Sequence, residues 1–188
     1  MNEVDTGIER ETIPFYSTKS EGNPKFLEIK YTLSGSTFKL QLPIFKEGSP
    51  EDFLHFLHEF TQARAKLGYT NAQKLESGLE QLLQGNARQE WNTVKTTTLP
   101  EAQTIAAFNE RINSFKKIYI PDPSAINNQR NYLNRIRKND KLTVPQFMDR
   151  LKHINMLIAQ FPDATDKDSF SPLEIKRIFY HSIKQSTF

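Results

Sequence analysis

Side chains that could do chemistry occur in three places in the sequence, the first of them a tripeptide near its start. Asp5-Thr6-Gly7 matches the loop with which aspartic proteases pair two carboxyl groups around a water molecule. Such a loop lies between apolar strands in a β-rich protein, whereas this one lies in a polar segment that precedes mostly helical patterns. We therefore expect the tripeptide to have no catalytic role.

Histidines and aspartates form the other two places, where a metal ion could bind. His55 and His58 are three residues apart, a spacing that could present both imidazole rings on one face of a helix. The remaining histidines, His153 and His181, lie in the second half of the chain, so no third ligand of matching spacing is evident. The stretch "FPDATDKDSF" lacks the ligand spacing and central glycine of a calcium loop. We expect surface histidines and a helix connector at these places.

The composition excludes further classes of site. The 188 residues include no cysteine, which rules out disulfides, thiolate zinc sites, zinc knuckles and cysteine nucleophiles. Hydrophobic residues make up 37% and charged residues 25%, a profile typical of a folded soluble protein. No apolar run approaches the ~20 residues of a membrane span. We therefore expect a cytoplasmic protein that is not an enzyme, with no cofactor, no small-molecule substrate and no membrane contact.

Positive charge is concentrated in the second half of the chain. The formal net charge is only +3, but residues 1–100 hold 11 Lys/Arg against 13 Asp/Glu, and residues 101–188 hold 14 against 9. Weak, salt-sensitive contact with RNA is one hypothesis for this half. Its candidate residues fall on one predicted basic helix: Arg130, Arg135, Arg137 and Lys138. Alternatively, Arg137 and Lys138 match the negative end of the helix dipole.

The first elements along the chain are a polar leader and a hairpin. Residues 1–24 show no sustained periodicity and are predicted to form a flexible leader. Residues 25–43 alternate apolar and polar side chains on both sides of "SGS", which predicts a β-hairpin with Gly35 in its turn. Because a lone hairpin is marginal in water, we expect helices to cover its apolar face.

Four helices are predicted to complete the first lobe, residues 25–119. The first begins at Ser49-Pro50-Glu51-Asp52, an N-cap followed by proline and two acidic residues. The second ends at Gly85, and Asn86 is predicted to cap a short third helix. The fourth follows "TTTLPEAQT" and carries an apolar stripe that begins at Phe108.

Two prolines separate the lobes. Pro121 and Pro123 interrupt the helical patterns and predict an extended linker, residues 120–124, that acts as a hinge. The second lobe, residues 125–188, is predicted to hold three or four helices. Hydroxyl side chains are expected to cap three of them: Ser124, Thr143 and Ser171.

The stretch "LLQGNARQEWNTV" places the only tryptophan of the chain shortly after a glycine and an alanine. Gly85 is predicted to end one helix in a left-handed turn. Ala87 is small enough to let the next helix approach closely, and Trp91 follows one turn later. The pattern predicts a tight helix corner that an aromatic side chain fills.

The order of these features resembles the Gag capsid region of LTR retrotransposons, the Gypsy-type and related families. The similarity spans residues 42–183. It rests on an entry like "LPIFKEGSPEDFLHFLHEFTQAR", an L-x-G-x-A motif followed by tryptophan, an aromatic helix like "FNERINSFKKIYIP" and two later helix motifs. The residues that carry these motifs are Leu83, Gly85, Ala87 and Trp91, then Val144, Phe147, Arg150 and Leu151, and finally Glu174 and Phe179.

The resemblance implies a mainly α fold of two retroviral-type capsid lobes with an N-terminal β-hairpin. It also implies a homo-oligomer in which N-lobes form rings and C-lobes pair across a two-fold axis, in a shell that encloses RNA. Small rotations at Pro121 and Pro123 let one subunit occupy differently curved positions. In "KNDKLTVPQFMDRL", Gln146 and Arg150 are the expected partners of a polar network, although the glycine of the corresponding orthoretroviral region is missing.

Two alternatives remain open. A domesticated Gag relative would act as an adaptor that binds partner peptides in a groove between the first helix and the hairpin. A weak nucleic-acid-binding module would use the basic residues of the second lobe. Self-assembly separates the capsid hypothesis from the adaptor, and salt-dependent retention on RNA tests the module.

Overall fold

A computed structural model of the chain describes residues 25–97 and 104–184. The predicted leader, residues 1–24, lies outside these ranges, as does Asp5-Thr6-Gly7. The described residues form a hairpin followed by seven helices, so the predicted mainly α fold with an N-terminal β-hairpin is confirmed. In chain order the elements are β1 (Phe26–Leu33), β2 (Ser36–Pro43), α1 (Pro50–Lys66), α2 (Ala72–Leu82), α3 (Gly85–Thr97), α4 (Ile105–Tyr119), α5 (Ala125–Arg135), α6 (Val144–Ile158) and α7 (Pro172–Lys184).

The hairpin is antiparallel and closes through a two-residue turn. Leu33 pairs with Ser36, and the turn residues Ser34 and Gly35 both have positive φ, 50° and 79°. Positive φ at both central positions is the requirement of a type I′ turn, whose twist matches that of the flanking strands. Gly35 therefore has the role that the sequence predicts.

Helices cover the apolar face of the hairpin only in part. Four residues of this face lie against the helical core: Leu27, Ile29, Leu40 and Leu42. Farther along the strands, Tyr31 stacks on Phe38 with ring centroids 5.6 Å apart. Phe38 is 44% exposed and Leu33 is 60% exposed. The expectation that helices cover the apolar face therefore holds for the end near Leu27 and Leu42, and the side chains at the turn end remain exposed.

α1 begins with the predicted capping box. The backbone N–H of Asp52 donates to Ser49 Oγ over 3.2 Å, and the backbone N–H of Ser49 donates to Asp52 Oδ2 over 3.0 Å. Pro50 occupies the first helical turn, where its missing N–H costs nothing. The buried side chains of α1 recur with the period of an amphipathic helix: Phe53, Leu54, Phe56, Leu57, Phe60 and Ala63.

Aromatic rings from α1, α3 and α4 form the centre of the first core. The Phe53 ring stacks on Tyr119 with centroids 4.0 Å apart and meets Phe115 edge to face at 5.0 Å. Trp91 meets Phe115 at 5.5 Å. Offset and edge-to-face contacts of this kind add stability beyond the area they bury.

The chain divides into two compact units between Pro121 and Asp122. This point falls inside the predicted linker. The prediction that Ser124 caps α5 is wrong, since its side chain makes no cap hydrogen bond. Asp122 bonds the backbone at the start of the helix: its Oδ1 accepts from the N–H of Ser124 (2.8 Å), and its carbonyl oxygen accepts from the N–H of Ala125 (3.1 Å).

The second unit consists of α5, α6 and α7 in its described part. The predicted caps at Thr143 and Ser171 are present, each as part of a capping box. Thr143 N–H donates to Gln146 Oε1 at 2.9 Å, and Ser171 N–H donates to a Glu174 carboxylate oxygen at 2.7 Å. The core contains residues from all three helices and from the α6–α7 connector. They include Leu133, Phe147, Leu151, Ile154, Leu157, Phe161, Ile175 and Phe179.

Candidate functional site

The segment after β2 lies beside the L-x-G-x-A motif. Phe45 forms a parallel bridge with Leu83. Its N–H donates to the carbonyl of Leu82 at 2.8 Å, and its own carbonyl accepts from the N–H of Gln84 at 2.9 Å. One residue on, the carbonyl of Lys46 accepts from the N–H of Ala87 at 3.1 Å. The motif therefore pairs with the segment that follows β2, in addition to turning the chain between two helices.

Gly85 begins α3 and does not end α2. α2 stops at Leu82, and its C-cap Leu83 is extended (ψ 134°) because it pairs with Phe45. Gly85 has the predicted positive φ, 51°, but it is the first residue of α3. The prediction that Asn86 caps this helix is also wrong, since Asn86 lies inside its first turn.

A side chain at Gly85 would collide with the incoming segment. A Cβ atom there would lie 2.7 Å from Cγ of Lys46. Ala87 is fully buried, so a larger residue has no room at that position either. The absence of a side chain at Gly85 thus leaves room for the Lys46 side chain.

Trp91 is 0% exposed and fills the space between α2, α3 and α4, as predicted. Its ring meets Phe108 at 6.2 Å and Phe115 at 5.5 Å between centroids. Its indole N–H donates to Glu80 Oε1 at 3.3 Å. The buried polar group of the indole is therefore paired with a carboxylate of α2.

Glu80 belongs to a partly buried ion cluster that the sequence analysis did not find. Lys95 Nζ lies 2.5 Å from Glu80 Oε1 and 2.9 Å from Glu76 Oε1. Arg111, only 8% exposed, reaches Glu76 Oε2 at 3.1 Å. Burial lowers the pKa of Lys95, but the hydrogen bonds and charges of the two glutamates outweigh it and raise that pKa overall.

The signal for this ion cluster was present in the sequence. Glu76 and Glu80 are one helical turn apart on α2, and Lys95 is one turn after Trp91 on α3. What the sequence does not reveal is that Arg111 of α4 faces them. The cluster joins three helices through charge, and each of its carboxylates has a cation beside it, so its evident role is to hold the first unit together.

Tyr119 and Glu90 form a second partly buried polar contact in the first unit. The Tyr119 hydroxyl donates to Glu90 Oε2 over 2.5 Å. Burial, followed by the hydrogen bond and negative charge of Glu90, raises the pKa of Tyr119 far above its usual value. The phenol therefore remains a neutral donor at physiological pH.

Some surface features of the described ranges bear on small ligands, metal ions and membranes. A shallow depression of about 220 Å³ is lined by Tyr69, Gln73, Lys74, Ser77, Gly78 and Gln81. Within residues 25–97 and 104–184, no three His, Asp or Glu side chains are grouped so that they could hold a metal ion. His55 is exposed on α1 and His58 is half-buried. None of the helices in these ranges is long and apolar enough to cross a lipid bilayer.

The predicted motif residues of α6 have different environments. Phe147 and Leu151 are fully buried in the second core, while Arg150 is half-buried. The carbonyl of the Gln146 side chain accepts the Thr143 N–H of the capping box. Gln146 therefore has a local role in starting α6, and its network with Arg150 stays a prediction.

The four candidate RNA-binding residues do not share one helix. α5 ends at Arg135, so Arg137 and Lys138 lie beyond it, because the C-cap Ile136 is extended (ψ 143°). Both donate to backbone carbonyls around the helix end: Arg137 to Ile136 at 3.1 Å, and Lys138 to Asn139 at 3.0 Å. Arg137 also donates to the carbonyl of Arg135, the last residue of α5, at 3.2 Å, which agrees with the alternative in which a cation lies at a helix C-terminus. The Lys138 bond lies beyond the helix end and does not bear on that alternative.

Arg130 packs against the connector between α6 and α7. Its guanidinium donates to the carbonyl oxygens of Lys167 and Asp168 and lies 4.3 Å from the centroid of the Phe170 ring. The Asn155 side-chain amide holds the same connector against α6 through two hydrogen bonds. Its Nδ2 donates to the carbonyl of Phe170 at 2.8 Å, and its Oδ1 accepts from the N–H of Phe170 at 2.7 Å. Arg130 is thus a structural cation, whereas Arg135 is exposed.

Comparison with known proteins adds no relative, since no family model, no curated protein and no solved structure matches the chain. The arguments about function therefore rest on the residues and contacts described above.

Proposed function

We propose that this chain is the structural Gag capsid protein of an LTR retrotransposon, which assembles in the cytoplasm into a virus-like particle that encloses RNA. The observation that carries the proposal is the division of a mainly helical chain into two compact units between Pro121 and Asp122. The Gag resemblance implies two helical lobes joined at this position. A hairpin at the start of the first unit is part of the same expectation.

The motif residues support a structural role. Leu83, Ala87 and Trp91 are buried, and Gly85 allows the close approach of Lys46. The strongest polar contacts of the first unit connect its own helices. Residues that serve packing in this way leave the surface of each unit as the part that meets a partner.

Exposed apolar side chains occur in both units and supply material for self-contacts. Leu33 and Phe38 lie at the end of the hairpin, and Leu173 (60% exposed) and Tyr180 (64% exposed) lie on α7. Leu173 and Tyr180 are seven residues apart and therefore share one face of the helix. Small apolar contacts of this kind are weak singly, but many copies of them hold a lattice together.

The short connection between the units supports a hinge. α4 ends at Tyr119 and α5 begins at Ala125, so few backbone angles need to change for the units to rotate. The second unit supplies the basic surface for weak contact with RNA, since residues 122–188 hold 11 Lys/Arg against 7 Asp/Glu.

The test is assembly of the purified full chain. Sedimentation and electron microscopy over rising protein and salt concentration are expected to show closed particles that protect RNA from nuclease. A Leu173→Ser/Tyr180→Ser double variant is expected to lower particle yield with unchanged helical content. Lys152→Ser, an exposed change on α6, is the matched control and should assemble normally.

A chain that stays monomeric under all these conditions contradicts the proposal and favours the adaptor hypothesis. Particles without RNA would remove the enclosing role alone. Equal loss of particles in the double variant and in the Lys152→Ser control would remove α7 as a contact surface.

A further inference from the structure

The outer edge of β1 has no strand partner among the described residues, because the sheet has only two strands. The turn closes on the pair Leu33 and Ser36, so the odd-numbered residues of β1 direct their backbone groups towards β2. In agreement with this pattern, the carbonyl of Lys25, also an odd-numbered residue, accepts from the N–H of Ile44 at 2.7 Å. The N–H and C=O groups of the even-numbered residues, among them Glu28 and Lys30, therefore point outwards along this edge.

The opposite edge of the sheet is less suitable for a new strand. α1 makes its main sheet contact with β2. Pro43 lies at an outward-facing position of β2, opposite Phe26, and has no N–H to donate. A strand that adds to the sheet therefore finds its full row of donors and acceptors on β1.

We propose that β1 pairs antiparallel with β1 of a second copy around a two-fold axis at Ile29, so that two hairpins form one four-stranded sheet. In this register Glu28 of each copy lies directly opposite Lys30 of the other, and the two contacts are equivalent by symmetry. Opposite charges in directly opposed positions stabilise an antiparallel pair. The inference rests on the proposed function, because it names one self-contact of an assembling chain.

The charges select this register from its neighbours. Side chains alternate between the two faces of a strand, so only registers that pair odd-numbered residues with odd-numbered ones keep both apolar faces on the same side of the sheet. A two-fold axis at Glu28 would oppose two glutamates, and an axis at Lys30 would oppose two lysines. Only the axis at Ile29 places unlike charges opposite each other. In that register Ile29 lies opposite Ile29 of the second copy.

The same register places the exposed end of each hairpin beside the covered end of the other. Leu27, which packs on the helical core of its own copy, lies opposite Tyr31 of the second copy. Tyr31 stacks on Phe38, whose ring is exposed in the single chain. Pairing thus brings the uncovered aromatic end of one hairpin next to the core of the other copy, where its apolar surface can be buried.

Charge reversal in the full chain tests the contact. Glu28→Lys alone places two lysines opposite each other in the homodimer, and Lys30→Glu alone places two glutamates. Each is expected to weaken self-association, measured by sedimentation equilibrium, by roughly ten-fold. An equimolar mixture of the two variants restores both attractive contacts and is expected to recover the original affinity.

Lys39→Gln is the matched control. Glu28 also forms an ion pair with Lys39 of its own hairpin, 3.0 Å long, so Glu28→Lys removes this pair as well. Lys39→Gln removes the same ion pair without changing the β1 edge. It should associate like the unchanged chain, and a loss equal to that of Glu28→Lys would overturn the proposal.

A crosslink reads the register independently of charge. The chain has no cysteine, so a single Ile29→Cys change brings two thiols face to face at a separation that a disulfide spans. Glu28→Cys and Lys30→Cys place their thiols one diagonal step apart and should crosslink far less. Equal crosslinking at all three positions would overturn the proposal.

The outcomes separate the contact from the proposed function. A full chain that never self-associates removes both. Assembly that is insensitive to both reversals, with no Ile29→Cys crosslink, overturns this inference alone and assigns the β1 edge to another occupant, such as residues 1–24 of the same chain.

Discussion

The backbone N–H of Ala87 donates a hydrogen bond of 3.1 Å to the carbonyl oxygen of Lys46. This bond joins the first turn of α3 to the segment that leaves the hairpin. An N–H in the first turn of a helix has no partner inside the helix, so Lys46 satisfies a group that would otherwise need water or a cap. The hairpin is thereby attached to the helices through backbone atoms that most substitutions leave in place.

Gly85→Ala is expected to destabilise the first unit by about 1–3 kcal/mol, of which the left-handed conformation alone accounts for roughly 1 kcal/mol. The remainder comes from the approach of the new Cβ to Lys46 Cγ. Urea unfolding followed by Trp91 fluorescence measures the loss. Gly68→Ala is the control, because its φ is also positive (68°) but no atom lies within 4 Å of the added Cβ. Equal losses in the two variants would contradict the close-approach argument.

Trp91→Ala is expected to destabilise the first unit by roughly 3–5 kcal/mol, since it removes a large, fully buried aromatic side chain. The loss includes the contacts with Phe108 and Phe115 and the hydrogen bond to Glu80. Thermal unfolding followed by far-ultraviolet circular dichroism measures it. Tyr180→Ala, which truncates an aromatic ring that is 64% exposed, should change stability little. An unchanged melting curve for Trp91→Ala would refute the packing role.

The local features of the fold could be predicted from sequence because neighbours along the chain determine them. Ser49, Thr143 and Ser171 each cap a helix through a residue three positions on. The alternation around Gly35 likewise specifies a hairpin. These patterns need no knowledge of tertiary contacts, and the structure has each of them where the sequence places it.

Two of the wrong predictions concern positions where a distant segment decides the local structure. Gly85 looked like a helix end, but Leu83 is extended because Phe45 pairs with it. Arg130 looked like a surface cation, but the connector near Asp168 folds back onto it. In each pair the two residues lie more than 35 positions apart in the chain. The periodicity of a single sequence does not report contacts at that distance.

Alkaline pH is expected to destabilise the first unit through Tyr119 and Lys95. Folding raises the pKa of both groups. Their contribution to the free energy of unfolding is therefore complete below the pKa that each has in the unfolded chain, about 10. It is lost as pH rises above that value. For Tyr119 the loss reaches about 1.4 kcal/mol per pH unit at most. Urea unfolding at about pH 8, where both contributions are complete, and at about pH 11, above the pKa of the unfolded groups, measures the loss.

Tyr119→Phe separates the two contributions. The variant has no phenol to ionise and lacks the bond to Glu90, so its stability should start lower at neutral pH and fall less steeply above pH ~10. Lys95→Met should also flatten the profile, through loss of the contacts with Glu76 and Glu80. A profile with the same slope in all three proteins would show that neither group is responsible.

Gln129→Met is expected to stabilise the second unit by about 1–2 kcal/mol. Gln129 is 0% exposed, and neither polar atom of its amide has a hydrogen-bond partner among the described residues. Methionine has a similar shape without the unpaired groups. Hydrogen exchange across α5, α6 and α7 reports the change. Asn155→Leu is the contrast, because it breaks two bonds to Phe170 and should destabilise; a loss in Gln129→Met would indicate a buried water that bonds the amide.

Arg130→Lys distinguishes a structural cation from an RNA contact. If RNA is its partner, lysine retains the charge and most of the binding. The structure favours the other outcome: lysine cannot reproduce the fork to the Lys167 and Asp168 carbonyls or the stacking on Phe170, so the second unit should lose about 1–3 kcal/mol. Hydrogen exchange in the α6–α7 connector should rise in the same variant. Arg135→Ala, at an exposed position of the same helix, should leave that exchange unchanged and weaken retention on RNA at low salt. The reverse pattern in the two variants would show that Arg130 contacts the nucleic acid.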